Sequence, residues 1–310
     1  MIHPFHHQKK NGTNEEGPLV RIEHLAIAFE KPVLRDVSLD IHKGETVAVL
    51  GKSGSGKSVL LKLIVGLLVP DAGKIFYRDK EITSMDEFGL MEVRSNMGFL
   101  FQGAALFDSM TIGQNLDLFL VKHTDLEAPE REKKISEALE MVQLKDAIDK
   151  MPSDLSGGMK KRAGLARAIV IEPELILYDE PTTGLDPLTA SSIAELIVTL
   201  QQRLGVASLV VTHDLPTAFT VSDRAMMLND GYAVFEGEIE KLQHSGDEFL
   251  LEYLAASRLD RERHDKLVQI HEGEQHPAPE QNQEQNGNRQ PAGPKPEHGQ
   301  SHETDKKVLT

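Results

Sequence analysis

Gly51-Lys52-Ser53-Gly54-Ser55-Gly56-Lys57-Ser58 follows the apolar run Thr46–Leu50 and precedes the helical run Val59–Leu68. A GxxxxGK[ST] turn between a buried strand and a helix is the setting in which this pattern acts as a phosphate-binding loop. Gly51, Gly54 and Gly56 let successive backbone N–H groups close around phosphate oxygens. The N-terminus of the following helix adds about half a positive charge at the same place. Ser53, Ser55 and Val59 complete the candidate nucleotide cradle, Lys57 is placed to reach the β- and γ-phosphates, and Ser58 to hold a divalent cation.

Working outward, Leu175-Ile176-Leu177-Tyr178-Asp179-Glu180 is an apolar strand that ends in two carboxylates and stops at Pro181. Beside a phosphate site such a pair divides naturally: Asp179 in the Mg²⁺ shell, Glu180 polarising an attacking water. Gln102, after the apolar run Met97–Phe101, is positioned to sense both γ-phosphate and metal. Thr212-His213-Asp214 ends the run Ser208–Val211 and carries an imidazole toward the same phosphate. Leu155-Ser156-Gly157-Gly158-Met159 offers a second phosphate seat, with Ser156 capping a helix and two glycines permitting close backbone approach. Asp186, in Gly184-Leu185-Asp186, reads as the N-cap of a helix starting near Pro187. Phe29 is placed to stack on adenine, and it also fits as the last core position of the alternating run Val20, Ile22, Leu25, Ile27.

In this order the motifs resemble the ATP-binding cassette (ABC) ATPases, from about residue 18 to about residue 257. The resemblance implies Lys57, Gln102, Glu180 and His213 as catalytic residues, and Ser58, Gln102 and Asp179 as holders of Mg²⁺. It implies ATP sandwiched between the loop at Gly51–Ser58 of one copy and Ser156, Gly157 and Gly158 of a second. The active form is then a homodimer, with Asp186 also reaching across the seam, closed by ATP and reopened by hydrolysis. Within the family, Leu100–Thr111, with Asp108 and Ser109, and Met151–Met159, with Met159 where most members have Gln, resemble the Mla/Mce-type lipid transport ATPases. Those pair with an MlaE-like permease and an MCE-domain lipid-binding protein, and in some relatives with a small STAS-domain regulator. Such a subunit sits on the cytoplasmic face of the inner membrane, peripheral through its permease. The small, apolar stretch Gly103–Met110 suits the coupling helix of a membrane subunit. The alternative is the ATPase of an importer for a small solute such as an amino acid. A third class, ATPases acting on DNA or ribosomes, calls for coiled-coil insertions, paired cassettes or basic surfaces, which this sequence does not carry.

Composition narrows the partners. Across 310 residues the formal charge is −15, which argues against a nucleic-acid partner. Cysteine is absent, so disulfides and thiolate metal sites are excluded. No apolar run reaches the roughly 20 residues that span a bilayer; the longest, Leu60–Val69, reads as the buried helix behind the phosphate loop. The segment 1–17 is polar, and its His3, His6 and His7 fit a disordered terminus better than a metal site.

The remaining pattern predicts an α/β fold: a RecA-like core with a mainly parallel sheet, an antiparallel β subdomain within residues 18–50 and beyond, and an inserted α-helical subdomain over about 85–171. Asn229-Asp230-Gly231 reads as a hairpin turn. After the cassette (18–257), residues 258–272 read as a possible helical extension, and 273–310 as a polar tail with too little apolar surface to fold. Phe249, Leu250, Tyr253, Leu254 and Leu259 form an apolar stripe expected to pack on the cassette or on a second copy of it.

Overall fold

The computed structural model describes residues 17–245 and 247–256; residues 1–16, the extension at 258–272 and the tail at 273–310 lie outside the described residues. The chain runs β1 (Val20–Ala28), β2 (Pro32–Ile41), β3 (Thr46–Leu50), α1 (Lys57–Ile64), β4 (Ala72–Tyr77), β5 (Lys80–Glu81), α2 (Glu87–Arg94) and β6 (Met97–Leu100). It continues through α3 (Ile112–His123), α4 (Ala128–Met141), α5 (Gly157–Ile169), β7 (Leu175–Asp179), α6 (Pro187–Leu204), β8 (Ala207–Val211), α7 (Leu215–Val221), β9 (Arg224–Asn229) and β10 (Tyr232–Glu238). A last helix, α8, covers residues 248–256.

All ten strands join one sheet in the order β5-β4-β1-β2-β10-β9-β3-β8-β7-β6. From β9 to β6 the neighbours pair in parallel, whereas β5, β4, β1 and β2 pair antiparallel. The expected parallel core and antiparallel subdomain are thus two parts of one sheet. β3 lies on the parallel side and is buried along its whole length. That explains its unbroken apolar run, since a strand covered on both faces has no solvent side to alternate with. Its Val47 and Val49 join one core cluster, while Ala48 and Leu50 join another on the opposite face. β7 does the same, with Leu175 and Leu177 on one face, Ile176 and Tyr178 on the other.

The alternation in β1 carries a break at its centre. Ile22 and Leu25, both buried, stand an odd number of residues apart, and pairing with β2 shifts register between them. His24 adopts φ 51° in that step, so a bulge restores the inward phase of Leu25 and Ile27. On the neighbouring strand a Cβ at Gly73 would lie 2.5 Å from the carbonyls of Glu23 and His24, so the bulge needs glycine beside it. At the other end of the sheet Asp230 and Gly231 both take positive φ (48° and 83°), which makes the β9–β10 connection the tight hairpin expected of Asn-Asp-Gly.

Two expectations change. The helical region over 85–171 is divided by β6, which pairs with β7 at the edge of the parallel sheet; a four-residue apolar run carries no period that separates strand from helix. The run Leu60–Val69 is helical and buried only in its first part: α1 ends at Ile64, Gly66 takes φ 68°, and Leu67 and Val69 are exposed.

β6 also shows how closely helix and strand approach. A Cβ on Gly98 would fall 2.2 Å from the Ala168 carbonyl oxygen of α5. Gly98→Ala is therefore expected to cost at least about 2–3 kcal/mol by overpacking, a fall of roughly 4–12 °C in melting temperature. Gly17→Ala, where a Cβ meets nothing within 4 Å, serves as the control in the same thermal melts.

Candidate nucleotide site

The carboxyl ends of β3, β7 and β8 converge, which is where an open parallel sheet presents a crevice. The loop leaving β3 is shaped by glycine. A Cβ on Gly51 would sit 2.5 Å from Ser55 Oγ and 2.6 Å from the Leu228 carbonyl, and one on Gly56 (φ 99°) would sit 2.7 Å from Leu34. α1 then begins at Lys57, buried at 6 % exposure, with Nζ donating to the carbonyls of Gly51 (2.9 Å) and Lys52 (3.1 Å). Burial pushes the Lys57 ammonium below its ordinary value, against the opposing charges of Glu180 and Asp179. Gly54 and Ser53 are exposed at the loop's crest, while Val59 packs into the core below.

Ser58 Oγ donates to Asp179 Oδ1 at 3.0 Å, joining the start of α1 to the end of β7. Burial raises the Asp179 carboxyl above its usual range, so this hydroxyl–carboxylate pair is a site that gains by receiving a cation. Its donors are hard oxygens, the set that suits Mg²⁺. Ser55 Oγ is buried without a hydrogen-bond partner among the described residues, a polar atom in the phosphate loop left to be satisfied by a bound group. The residues present therefore fit both nucleotide and metal.

Glu180 is the centre of the arrangement. It takes φ 49°, a left-handed backbone that costs a non-glycine residue on the order of 1–2 kcal/mol. Backbone and side-chain bonds hold it there, among them one from Thr212 Oγ1 to the carboxylate (3.3 Å). Its N–H donates to the Val211 carbonyl (2.9 Å), and its own carbonyl accepts from Lys161 Nζ (3.0 Å). The side chain, 12 % exposed, accepts from Thr183 Oγ1 (3.0 Å) and from His213 Nδ1 (2.9 Å), and Lys57 Nζ lies 4.0 Å away. A carboxylate only accepts, so Nδ1 carries the His213 proton and Nε2 is left clear of Glu180.

Gln102 enters through its backbone: its carbonyl accepts from Lys161 Nζ at 2.6 Å, and its side chain is exposed. Beyond it Ala104 and Ala105 both adopt positive φ (60° and 48°), and their carbonyls accept from the buried Arg167 guanidinium. Lys161 and Arg167 on α5 thus hold the first residues of the loop after β6. Neither was singled out from the sequence. The available signal was spacing: Lys161, Leu165 and Ala168 are three and four residues apart and all buried, which places the lysine on the inward face of α5.

Ser156 is the N-cap of α5, accepting from the Met159 N–H at 3.3 Å, and is itself exposed. Gly158 abuts Thr189 of α6, where a Cβ would lie 2.5 Å from the threonine methyl. Asp186 is the N-cap of α6, accepting from Thr189 N–H (3.0 Å) and Oγ1 (2.6 Å), and these bonds hold its carboxyl below the ordinary value. The capping role foreseen for Asp186 is thus in place. Phe29 is 60 % exposed, so its alternative placement as a core residue is overturned: β1 ends at Ala28, and Phe29 lies in the turn to β2, its N–H donating to the Lys31 carbonyl.

The family described as ABC transporter matches residues 34–183. The intermembrane phospholipid transport system ATP-binding protein MlaF of Escherichia coli K12 is 40 % identical over 222 residues, which cover 72 % of this chain and 82 % of that protein. MlaF of Haemophilus influenzae is 38 % identical over 237 residues, 76 % of this chain and 90 % of its own length. The methionine import ATP-binding protein MetN of Brucella abortus is 38 % identical over 226 residues, 73 % of this chain but 61 % of MetN. Among solved structures, the dimeric ATP-binding cassette MJ0796 in a post-hydrolysis state with ADP and phosphate superposes with a TM-score of 0.66 at 31 % identity, covering 71 % of this chain and 98 % of that one.

Proposed function

The chain belongs to the ABC transporter family of ATP-binding proteins, and from that membership we propose that it powers phospholipid movement in a bacterial envelope, working as a homodimer beneath an integral-membrane permease. It is an ATP hydrolase, a transport ATPase of the ABC type. The observation that carries the chemistry is the Glu180 carboxylate, held by His213 and Thr183 with Lys57 at 4.0 Å.

Hydrolysis then proceeds by positioning and charge neutralisation. The backbone N–H groups of the β3–α1 loop and Lys57 receive the phosphates. Glu180 orients the attacking water and takes its proton as the bond to the γ-phosphorus forms. His213, fixed by Glu180 through Nδ1, keeps Nε2 clear of that carboxylate and so able to meet a γ-phosphate. Mg²⁺, when bound, neutralises phosphate charge, and Ser58, Asp179 and Gln102 are the residues to hold it. Ser156 and Gly157 are exposed at the start of α5, which suits their serving a second copy, as in the dimeric cassette of similar fold.

Support for a membrane partner comes from the surface. No described helix is long and apolar enough to cross a membrane. Yet Leu67 and Val69 after α1, Phe88 and Met91 on α2, and Phe107 in the loop after β6 are exposed. Arg94 of α2 donates to the carbonyls of Val65 and Gly66, so the first four lie on adjoining segments. Such a surface suits the coupling helix of an MlaE-like permease on the cytoplasmic face of the inner membrane, with an MCE-domain protein beyond it and a STAS-domain regulator as a further candidate partner. The lipid reading is favoured over solute import because the alignment spans 82 % of one MlaF and 90 % of another, against 61 % of MetN. Affinity purification of the tagged chain from its own membranes, with mass spectrometry of proteins and lipids, tests this. An MlaE-like permease, an MCE protein and phospholipid are expected; a different permease with a solute-binding protein would move the cargo to the importer class.

A further inference from the structure

The helix at 248–256 lies outside every nucleotide-binding motif, yet it touches two of the loops that make the site. Leu250 and Leu254 are buried in a cluster with Ala48 and Leu50 of β3, Leu215 and Ala218 of α7, and Met227 of β9. They dock α8 on the strand that leads into the phosphate loop and on the helix that leaves the His213 turn. From that seat the Tyr253 hydroxyl donates to the His213 carbonyl at 3.0 Å. One turn earlier, the Phe249 ring lies 5.0 Å from Lys52 Nζ, the first side chain of the phosphate loop after Gly51. The two rings also pack on each other, with centroids 6.2 Å apart.

We infer that α8 is a positioning element for ATP hydrolysis, with Tyr253 fixing the His213 turn and Phe249 steadying the phosphate loop through Lys52. The peptide carbonyl that Tyr253 holds belongs to the same residue whose imidazole grips Glu180, so freedom at this carbonyl passes directly to the ring. His213 is 57 % exposed, which leaves its ring few packed neighbours to hold it otherwise. Lys52 is exposed, and an aromatic face at cation–π distance restricts where its charge rests above the phosphates. The two contacts serve different steps: the first the reacting phosphate, the second nucleotide capture.

The inference rests on His213 acting in hydrolysis, so the test includes that residue. Steady-state ATPase kinetics of the full chain would be compared for wild type, Tyr253→Phe, Phe249→Leu and His213→Ala, each with its melting temperature. Tyr253→Phe should lower kcat by about 3- to 10-fold, the worth of one neutral hydrogen bond, with KM for ATP within about 2-fold. Phe249→Leu should raise KM by about 2- to 5-fold with kcat retained, the worth of an exposed cation–π contact. This opposite split is one that a merely structural helix would not produce. Wild-type kinetics in both variants, with His213→Ala inactive, would overturn the role of α8 alone. Parallel loss of kcat and affinity together with a fall in melting temperature would reduce α8 to packing and equally overturn it. Full activity in His213→Ala would instead remove the reading of His213, and with it the part assigned to Tyr253.

Discussion

Glu180→Gln is expected to lower ATP turnover by about 10²- to 10⁴-fold, the range that a positioned general base contributes, while nucleotide still binds. Glutamine keeps the shape and can still accept from Thr183 and His213, so the strained turn at φ 49° retains its backbone anchors on Val211 and Lys161. What goes is the carboxylate that takes the water's proton. Binding energy that would be released by hydrolysis is then retained in the closed state, and the variant should accumulate as an ATP-bound dimer. Light scattering after gel filtration, with and without Mg-ATP, measures this beside phosphate release. A variant that stays monomeric with ATP would contradict the sandwich arrangement, and one that hydrolyses at the wild-type rate would remove Glu180 from its role.

Lys57→Ala should be more severe, because it strikes binding and chemistry together. The ammonium is buried, donates to two carbonyls of its own loop and lies 4.0 Å from Glu180. Its removal takes away the buried cation at the start of α1 and leaves the Glu180 side chain with less neighbouring positive charge. A loss on the order of 10³-fold in kcat/KM follows from losing a preorganised charged donor at a phosphoryl group. Isothermal titration with a non-hydrolysable ATP analogue should show weakened binding as well, which separates this variant from Glu180→Gln. Lys57→Met, which keeps the apolar stem, distinguishes loss of charge from loss of packing. Substantial residual hydrolysis in both variants would overturn the assignment of the phosphate loop.

Much of the site was legible because its parts are short and local. The phosphate loop works through consecutive N–H groups, so glycine spacing alone exposes it. The carboxylate pair at Asp179 and Glu180 follows from an apolar strand that stops at Pro181. Ser156 and Asp186 are helix caps, and capping is decided within three residues. The elements that failed to show were those decided at a distance. β6 looked like part of a helical region because its identity as a strand depends on β7, whose pairing brings Met97 opposite Leu175. Phe29 fits the inward phase of Leu25 and Ile27, but pairing with β2 ends at Ala28, which leaves Phe29 in the exposed turn.

By itself, then, the sequence determined the cassette, its α/β character and the residues proposed to meet phosphate, since each is encoded by neighbours along the chain. Only the tertiary structure decided how those residues are supported. Lys161 reaches Gln102 across 59 positions and Glu180 across 19, and Tyr253 reaches His213 across 40. A lysine in a helix or a tyrosine near the end of a cassette carries no mark of such a partner. Its role arises from the order of strands in the sheet, which places distant backbone carbonyls where a buried ammonium or a phenol can satisfy them.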